Sequence, residues 1–284
     1  MQPGSCAKLE KIRLDALLFE KGLAASREKA RAMIMAGEVQ INGKIIDKPG
    51  CKVQPETEVI ITPVRQPYVS RGGLKIEGAI RDFKLDFSGR SVLDIGASTG
   101  GYTDCALQHG AVKVFALDVG YGQLDWSLRN DPRVVVWEKT NIRYFKLEDL
   151  GEKVDIITMD VSFISTTLIF PVLKELLKEN GDIVCLIKPQ FEAGREKVGR
   201  HGVVKDPQVH TEVLERCIAA AQAEGLNCIG VTYSPIMGPK GNIEYFLHLR
   251  LDAQAMSDIK SRAVEVVRRA QSLREEKAVE NINC

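Results

Sequence analysis

The chain has 284 residues, 44% hydrophobic and 27% charged, enough to bury more than one core and too apolar for a disordered or fibrous protein. Its net charge of +1 conceals a division: residues 1–75 carry five more basic than acidic side chains, and the remainder four more acidic than basic. Such a local excess marks a polyanion-facing module joined to something else.

The opening Met1-Gln2-Pro3-Gly4-Ser5-Cys6 lacks the basic start and apolar core of a secretory signal. Ile12, Leu14, Leu17 and Leu18 then recur at helical spacing up to Phe19, with Gly22 as a stop. A second helix is predicted from Arg27 to Ile34, with Ser26 as its N-cap, Glu28 in its first turn and Gly37 as its terminator. Ala30, Met33 and Ile34 share one face. Arg27 and Arg31, four residues apart, project together along its edge, where two guanidinium groups suit adjacent phosphates. The period then shifts to two: Val39-Gln40-Ile41, the turn pair Asn42-Gly43 and Lys44-Ile45-Ile46 predict a hairpin, and Thr57 to Thr62 a further strand. Lys44, Lys48 and Lys52 lie on or near the hairpin. Two helices on a small sheet, with Arg13-Leu14-Asp15, Ser26-Arg27-Glu28-Lys29-Ala30 and Val39-Gln40-Ile41-Asn42-Gly43, resemble the S-four RNA-binding domain over residues 12–64. The expected RNA-contacting residues are Arg13, Arg27, Lys29, Arg31 and Lys44, with Arg71 beyond the module.

Pro63 to Pro67 and Ser70-Arg71-Gly72-Gly73 break regular structure, so the expected division is residues 8–64, a linker 65–73, and a second domain 74–284. There, strands and helices alternate. Strands are expected at Ser91–Ile95, Val112–Leu117, Val134–Trp137, Val154–Met159 and Asp182–Ile187, each Val- and Ile-rich as a sheet covered on both faces requires. After a helix opened by Asp206-Pro207, Cys228–Tyr233 and Glu244–Leu251 complete seven strands of a doubly wound α/β sheet that binds ligands at the carboxyl ends of its strands. The longest uncharged apolar-rich stretch, Val161 to Leu173, is only 13 residues and holds Pro171, too short for a bilayer. Seven cysteines without CxxC or Cys/His ligand spacing imply a reduced, cytoplasmic protein with no metal site.

The first of these strands runs into Asp94-Ile95-Gly96-Ala97-Ser98-Thr99-Gly100-Gly101, where small residues allow close approach to the backbone before a helix. Ser98 breaks the dinucleotide GxGxxG pattern, and there is no Walker lysine. Asp94 suits a cofactor with an amino group and a sulfonium, and Asp118 at the end of the next strand suits ribose hydroxyls. Together these indicate S-adenosylmethionine, with Asp94, Gly96, Ala97, Ser98, Gly100 and Asp118 as its binding residues. Asn141 is placed beside the adenine, a turn asparagine being the alternative. Lys75, Asp160, Lys188 and Glu244 fall where the strand ends converge. Two ammonium groups and two carboxylates are what methylation of a poorly acidic ribose hydroxyl needs, with no metal.

Ser70-Arg71-Gly72-Gly73-Leu74-Lys75, the Asp94–Gly101 loop, Asp160-Val161-Ser162-Phe163-Ile164-Ser165, Leu186-Ile187-Lys188-Pro189-Gln190-Phe191-Glu192 and Gly241-Asn242-Ile243-Glu244 resemble the TlyA family, hemolysin-A-type rRNA 2′-O-methyltransferases with an FtsJ-like catalytic domain. The resemblance implies methyl transfer from S-adenosylmethionine to the 2′-hydroxyl of cytidine in small- or large-subunit ribosomal RNA. It also implies Lys75, Asp160, Lys188 and Glu244 as the catalytic tetrad, and ribosomal RNA or subunits as the partner. Competing readings are a membrane-active hemolysin, a non-catalytic ribosome-binding or assembly factor, and a pseudouridine synthase, whose signature Arg13-Leu14-Asp15 superficially matches. Phe163 is expected in the core, with stacking against a base as the alternative; His201 and His210 are expected at the surface, and Arg195, Lys197, Arg200 and Lys205 on a mobile, RNA-touching flap, a merely solvated loop being the alternative. A C-terminal helix over Ala253–Glu280 would dock through Val264, Val267 and Leu273.

Overall fold

The computed structural model describes residues 11–62, 67–199, 201–238 and 240–282, with side chains as far as 272. It divides into two compact units between Gln66 and Pro67. In the first, β1 (Ile12–Arg13) leads directly into α1 (Leu14–Glu20), followed by α2 (Arg27–Met35), β2 (Val39–Ile41), β3 (Lys44–Ile45), β4 (Lys52–Val53) and β5 (Ile60–Ile61). Ser26 caps α2, its hydroxyl accepting from Lys29 N at 3.1 Å. Asn42 and Gly43 both take positive φ, as a two-residue hairpin turn between β2 and β3 requires. Two expectations shift. Ile12 leaves the helix because it pairs with Val53 in an antiparallel ladder, and the Thr57–Thr62 strand shortens to the two residues β5 pairs with β2. Leu14, Leu17, Leu18, Ala30, Ile34 and Val39 form the core.

The second unit runs α3 (Gly72–Phe83), β6 (Ser91–Ile95), α4 (Gly101–Gln108), β7 (Lys113–Leu117), α5 (Trp126–Arg129), β8 (Val134–Trp137), α6 (Leu147–Leu150), β9 (Val154–Met159), α7 (Phe170–Leu176), β10 (Leu177–Ile187), α8 (Pro189–Glu192), α9 (Pro207–Ala223), β11 (Asn227–Tyr233), β12 (Tyr245–Arg250) and α10 (Ile259–Ile282). Its seven strands lie in the order β11-β12-β10-β9-β6-β7-β8, all parallel except the antiparallel β12, which pairs on both sides. This is the Rossmann-like sheet of a methyltransferase. Successive strand residues serve opposite layers: Val92, Val114, Val184 and Phe246 pack with α3 and α4, while Leu93, Phe115, Cys185 and Leu247 pack with α7, α9 and α10. That double burial is why the strands read as continuous apolar runs.

Two expectations in this unit are corrected. α10 docks through Ala263, Val267 and Ala270, spaced four and three residues apart, while Val264 is 52% exposed because one residue of helix turns it off that face; the Leu273 side chain lies outside the described residues. His210 is buried, with Nδ1 2.7 Å from Tyr245 Oη and Nε2 3.1 Å from Val204 O. Expected at the surface, His210 is instead covered by the 201–206 segment. Val204 in that segment is itself buried, and Asn242 fastens it by donating Nδ2 to Gly202 O and accepting from Val204 N. The segment read as a flap is thus tied to the residue two before Glu244. Arg200 lies outside the described residues.

Candidate active site

The carboxyl edge of the sheet is assembled from strand ends. Asp160 follows β9 and Lys188 follows β10, its parallel neighbour. β12 runs the opposite way, so its beginning, not its end, reaches this edge; Ile187 faces Tyr245 and Glu244 arrives beside Lys188. Lys75 comes from the first turn of α3. Lys75 Nζ lies 2.6 Å from Glu244 Oε2 and 3.7 Å from Asp160 Oδ2, and Lys188 Nζ lies 2.5 Å from Asp160 Oδ1. The four form a row of alternating charge, Glu244, Lys75, Asp160, Lys188, that sums to zero. Lys75, Lys188 and Glu244 are more than nine-tenths buried. Buried ammonium groups need such pairing, because an isolated charge in a poorly polarisable interior is costly. Lys188 also donates to Ser162 Oγ at 2.8 Å, and Gln190 donates to Glu244 Oε1 at 3.1 Å.

A cavity of about 570 Å³ opens over this row. Its lining includes all four tetrad residues, Gly96, Ala97, Ser98 and Gly101 of the glycine-rich loop, and Arg71 at the start of α3. The loop bends through Gly96, Ser98 and Gly100, all at positive φ. At Gly96 the fit is tight: a Cβ would come 2.7 Å from the Asp160 carbonyl oxygen, while Asp160 N donates to Ile95 O at 2.9 Å. Asp118 buttresses the loop by accepting from Ser98 N at 2.8 Å and from Gly120 N at 2.7 Å. Each carboxylate oxygen keeps a lone pair for a ligand hydroxyl. The size of the cavity and its exposed loop backbone fit a nucleoside joined to an amino-acid tail, while Asp118 supports the loop from outside the lining.

Four residues expected at the cofactor, Asp94, Gly100, Asp118 and Asn141, do not line this cavity. Asp94 is buried beneath the loop, accepting from Thr103 Oγ1 at 2.7 Å and Thr158 Oγ1 at 3.1 Å, so it ties β6 to α4 and β9. Burial without a cation raises its pKa to about 6, the two threonine hydroxyls opposing the rise. Asn141 is exposed and its side chain accepts from Arg143 N at 3.1 Å, capping the start of a short helical turn at 142–144. Phe163 departs from expectation more sharply. It is 91% exposed at the cavity rim, at φ +65°, with its ring 5.0 Å from that of Phe191. A non-glycine residue held in that conformation with an aromatic side chain in water points to function. Ser162, Gln190 and Phe191 went unread as site residues, although each stands within three residues of Asp160 or Lys188.

In the first unit Arg13, Arg27 and Arg31 converge on Asp15, while Lys29 and Lys44 are exposed on α2 and the hairpin. Among the described residues no cluster of His, Cys, Asp and Glu could hold a metal ion, and no helix is long and apolar enough to cross a membrane.

Residues 68–251 match the FtsJ-like methyltransferase family and residues 12–59 the S4 domain. The chain is 45% identical to the 16S/23S rRNA (cytidine-2′-O)-methyltransferase TlyA of Mycobacterium tuberculosis, over 89% of this chain and 97% of that one. It is 42% identical to a protein named Hemolysin A from Brachyspira hyodysenteriae, over 84% of this chain and 99% of that one. A solved Streptococcus thermophilus structure provisionally described as a hemolysin is also similar, with a TM-score of 0.76 and 42% identity, over 95% of this chain and 99% of that chain. The methyltransferase and hemolysin names therefore fall on relatives of the same extent.

Proposed function

The chain belongs to the TlyA family of FtsJ-like methyltransferases with an S4 domain, and we propose that it transfers a methyl group from S-adenosylmethionine to the 2′-hydroxyl of a cytidine in ribosomal RNA. The observation that carries this reading is the Glu244–Lys75–Asp160–Lys188 row beside the glycine-rich loop. When bound, S-adenosylmethionine supplies a methyl group on a positively charged sulfur, already open to in-line displacement. The protein's part is to hold two reactants in line and to manage the hydroxyl proton. Gly96, Ala97 and Ser98 would hold the cofactor through their backbone, and Asp118 would take the ribose hydroxyls.

An ammonium group has three N–H donors; Lys188 gives one to Ser162 and holds Asp160 as an ion pair, leaving a donor for the substrate oxygen. That donor offsets the negative charge growing on the ribose oxygen as its O–H bond breaks; an ammonium has no lone pair to take the proton, which passes to water in the cavity. Asp160 holds Lys188 in place, and Lys75 with Glu244 holds Asp160. Phe163 offers its exposed face for stacking with the base of the target nucleotide, and Arg71 and Lys240 offer positive charge to its phosphates at the rim. The arginine-rich N-terminal unit supplies sequence-independent grip. The partner is then ribosomal RNA, free or in a subunit, and the place of action the cytoplasm.

The test is incubation of the purified chain with methyl-tritiated S-adenosylmethionine and ribosomal subunits lacking the modification, followed by digestion to nucleosides. Label in 2′-O-methylcytidine is expected. Label confined to a base, or none in RNA, overturns the assignment, and vesicle lysis by the purified chain in its place would restore the hemolysin reading.

A further inference from the structure

Three guanidinium groups from two elements of the N-terminal unit meet at a single carboxylate. Asp15, the second residue of α1, has no exposed surface. Arg13 of β1 donates Nε to Oδ1 and Nη2 to Oδ2, both at 2.9 Å. From α2, Arg31 Nε donates to Oδ2 at 3.0 Å and Arg27 Nη2 to Oδ1 at 3.5 Å. The loop before β4 leaves room for the Arg13 head, since a Cβ on Gly50 would come within 3.2 Å of Nη1. The three arginine side chains nevertheless remain about half exposed, at 46%, 50% and 50%.

The group carries a net charge of +2, and each guanidinium gives Asp15 only one or two of its five N–H donors. An unrestrained arginine carries about 2 kcal/mol of rotamer entropy, part of which is lost whenever it grips a phosphate. Here that ordering is complete before any ligand arrives. We propose that Asp15 is a positioning residue that assembles Arg13, Arg27 and Arg31 into one preformed receptor for neighbouring phosphates of an RNA backbone. The proposal rests on the RNA-binding reading of the N-terminal unit. The Arg13 bond foremost, then Arg31, holds the Asp15 carboxyl well below the usual carboxylate range, so the receptor stays assembled at neutral pH.

Charge counting and geometry give opposite signs for Asp15→Asn in the full chain. The substitution adds one positive charge to a polyanion-binding patch, which by electrostatics alone tightens binding. If orientation dominates, affinity for ribosomal RNA transcribed in vitro falls about tenfold, and the slope of log K against log salt flattens by about one. Unchanged or tighter binding overturns the proposal. In an Arg13→Gln/Arg31→Gln background Asp15→Asn should cause no further loss; an equal further loss would make its effect purely structural and overturn the proposal. If Asp15→Asn lowers the unfolding temperature sharply, the native chain decides by NMR: the Nε–H protons of Arg13 and Arg31, which bond Asp15, are expected to be protected from exchange without RNA, and rapidly exchanging ones refute the receptor. Should the triple change Arg13→Gln/Arg27→Gln/Arg31→Gln leave RNA affinity intact, the RNA-binding reading itself falls, which is a separate outcome.

Discussion

The Glu244–Lys75–Asp160–Lys188 row and the arginine trio around Asp15 both tie cations to carboxylates, yet they differ in balance and in exposure. The row pairs two cations with two anions, is largely buried, and draws on four distant stretches of chain. The trio sets three cations against one buried anion and leaves the cations half in water. A buried row has to be neutral, since an uncompensated charge there costs several kcal/mol. A surface that meets a polyanion has to keep a surplus. The same residue types therefore form a neutral buried row in one unit and a half-exposed cationic cluster in the other, and the deciding variable is how many carboxylates face the cations.

The contrast is broken most severely at Lys188. Lys188→Ala is expected to reduce turnover about 10³-fold, with S-adenosylhomocysteine binding unchanged by calorimetry; turnover above a tenth of the native value removes Lys188 from the chemistry. Asp94 sharpens the comparison as a buried carboxylate given hydroxyls instead of a cation. Its pKa is raised to about 6 in the folded chain against about 4 unfolded, so the native state keeps a proton that the unfolded state has shed. That stability is present below pH 4 and is lost as pH rises to 6, by about 3 kcal/mol in all for a two-unit shift. Urea unfolding of Asp94→Asn across pH 4 to 6 should lack this component; parallel curves for the two proteins would contradict it.

A smaller effect is expected at Phe163, the exposed contact that carries no charge. Phe163→Ala should raise KM for RNA about tenfold, from the roughly 1–3 kcal/mol of a stacked base, with a salt dependence equal to the native one. A lowered kcat at unchanged KM would place the ring elsewhere. Comparable in size is the paired Arg27→Ala/Arg31→Ala change, expected to weaken RNA binding at least about tenfold near 0.15 M salt, no less than Asp15→Asn, and to reduce the salt slope by about two. An unaltered slope means these arginines do not meet phosphates.

Much of the second unit was legible in sequence because its parallel strands are apolar on both faces, and Asp160, Lys188 and Glu244 stand at strand ends that adjacent pairing brings together. Phe163 misled because an aromatic after a strand reads as core, whereas the left-handed backbone that turns it outward leaves no mark in composition. His210 misled in the opposite sense: its cover comes from residues 201–206, held by Asn242, a contact between distant stretches of chain. Asp15 could be read as a helix-opening acid, but its three partners lie two, 12 and 16 residues away and meet only once α1 packs on α2.

The contact at Gly96 has a practical consequence. Because a single added carbon there would strike the backbone of Asp160, the glycine-rich loop and the charged row are packed directly against each other. On the methyl-transfer reading, enlarging the loop to admit bulkier alkyl donors would push on Asp160 and through it on Lys188, so that donor selectivity and rate would change together. Room for such donors is better sought where side chains such as Val198 and Met237 form the lining.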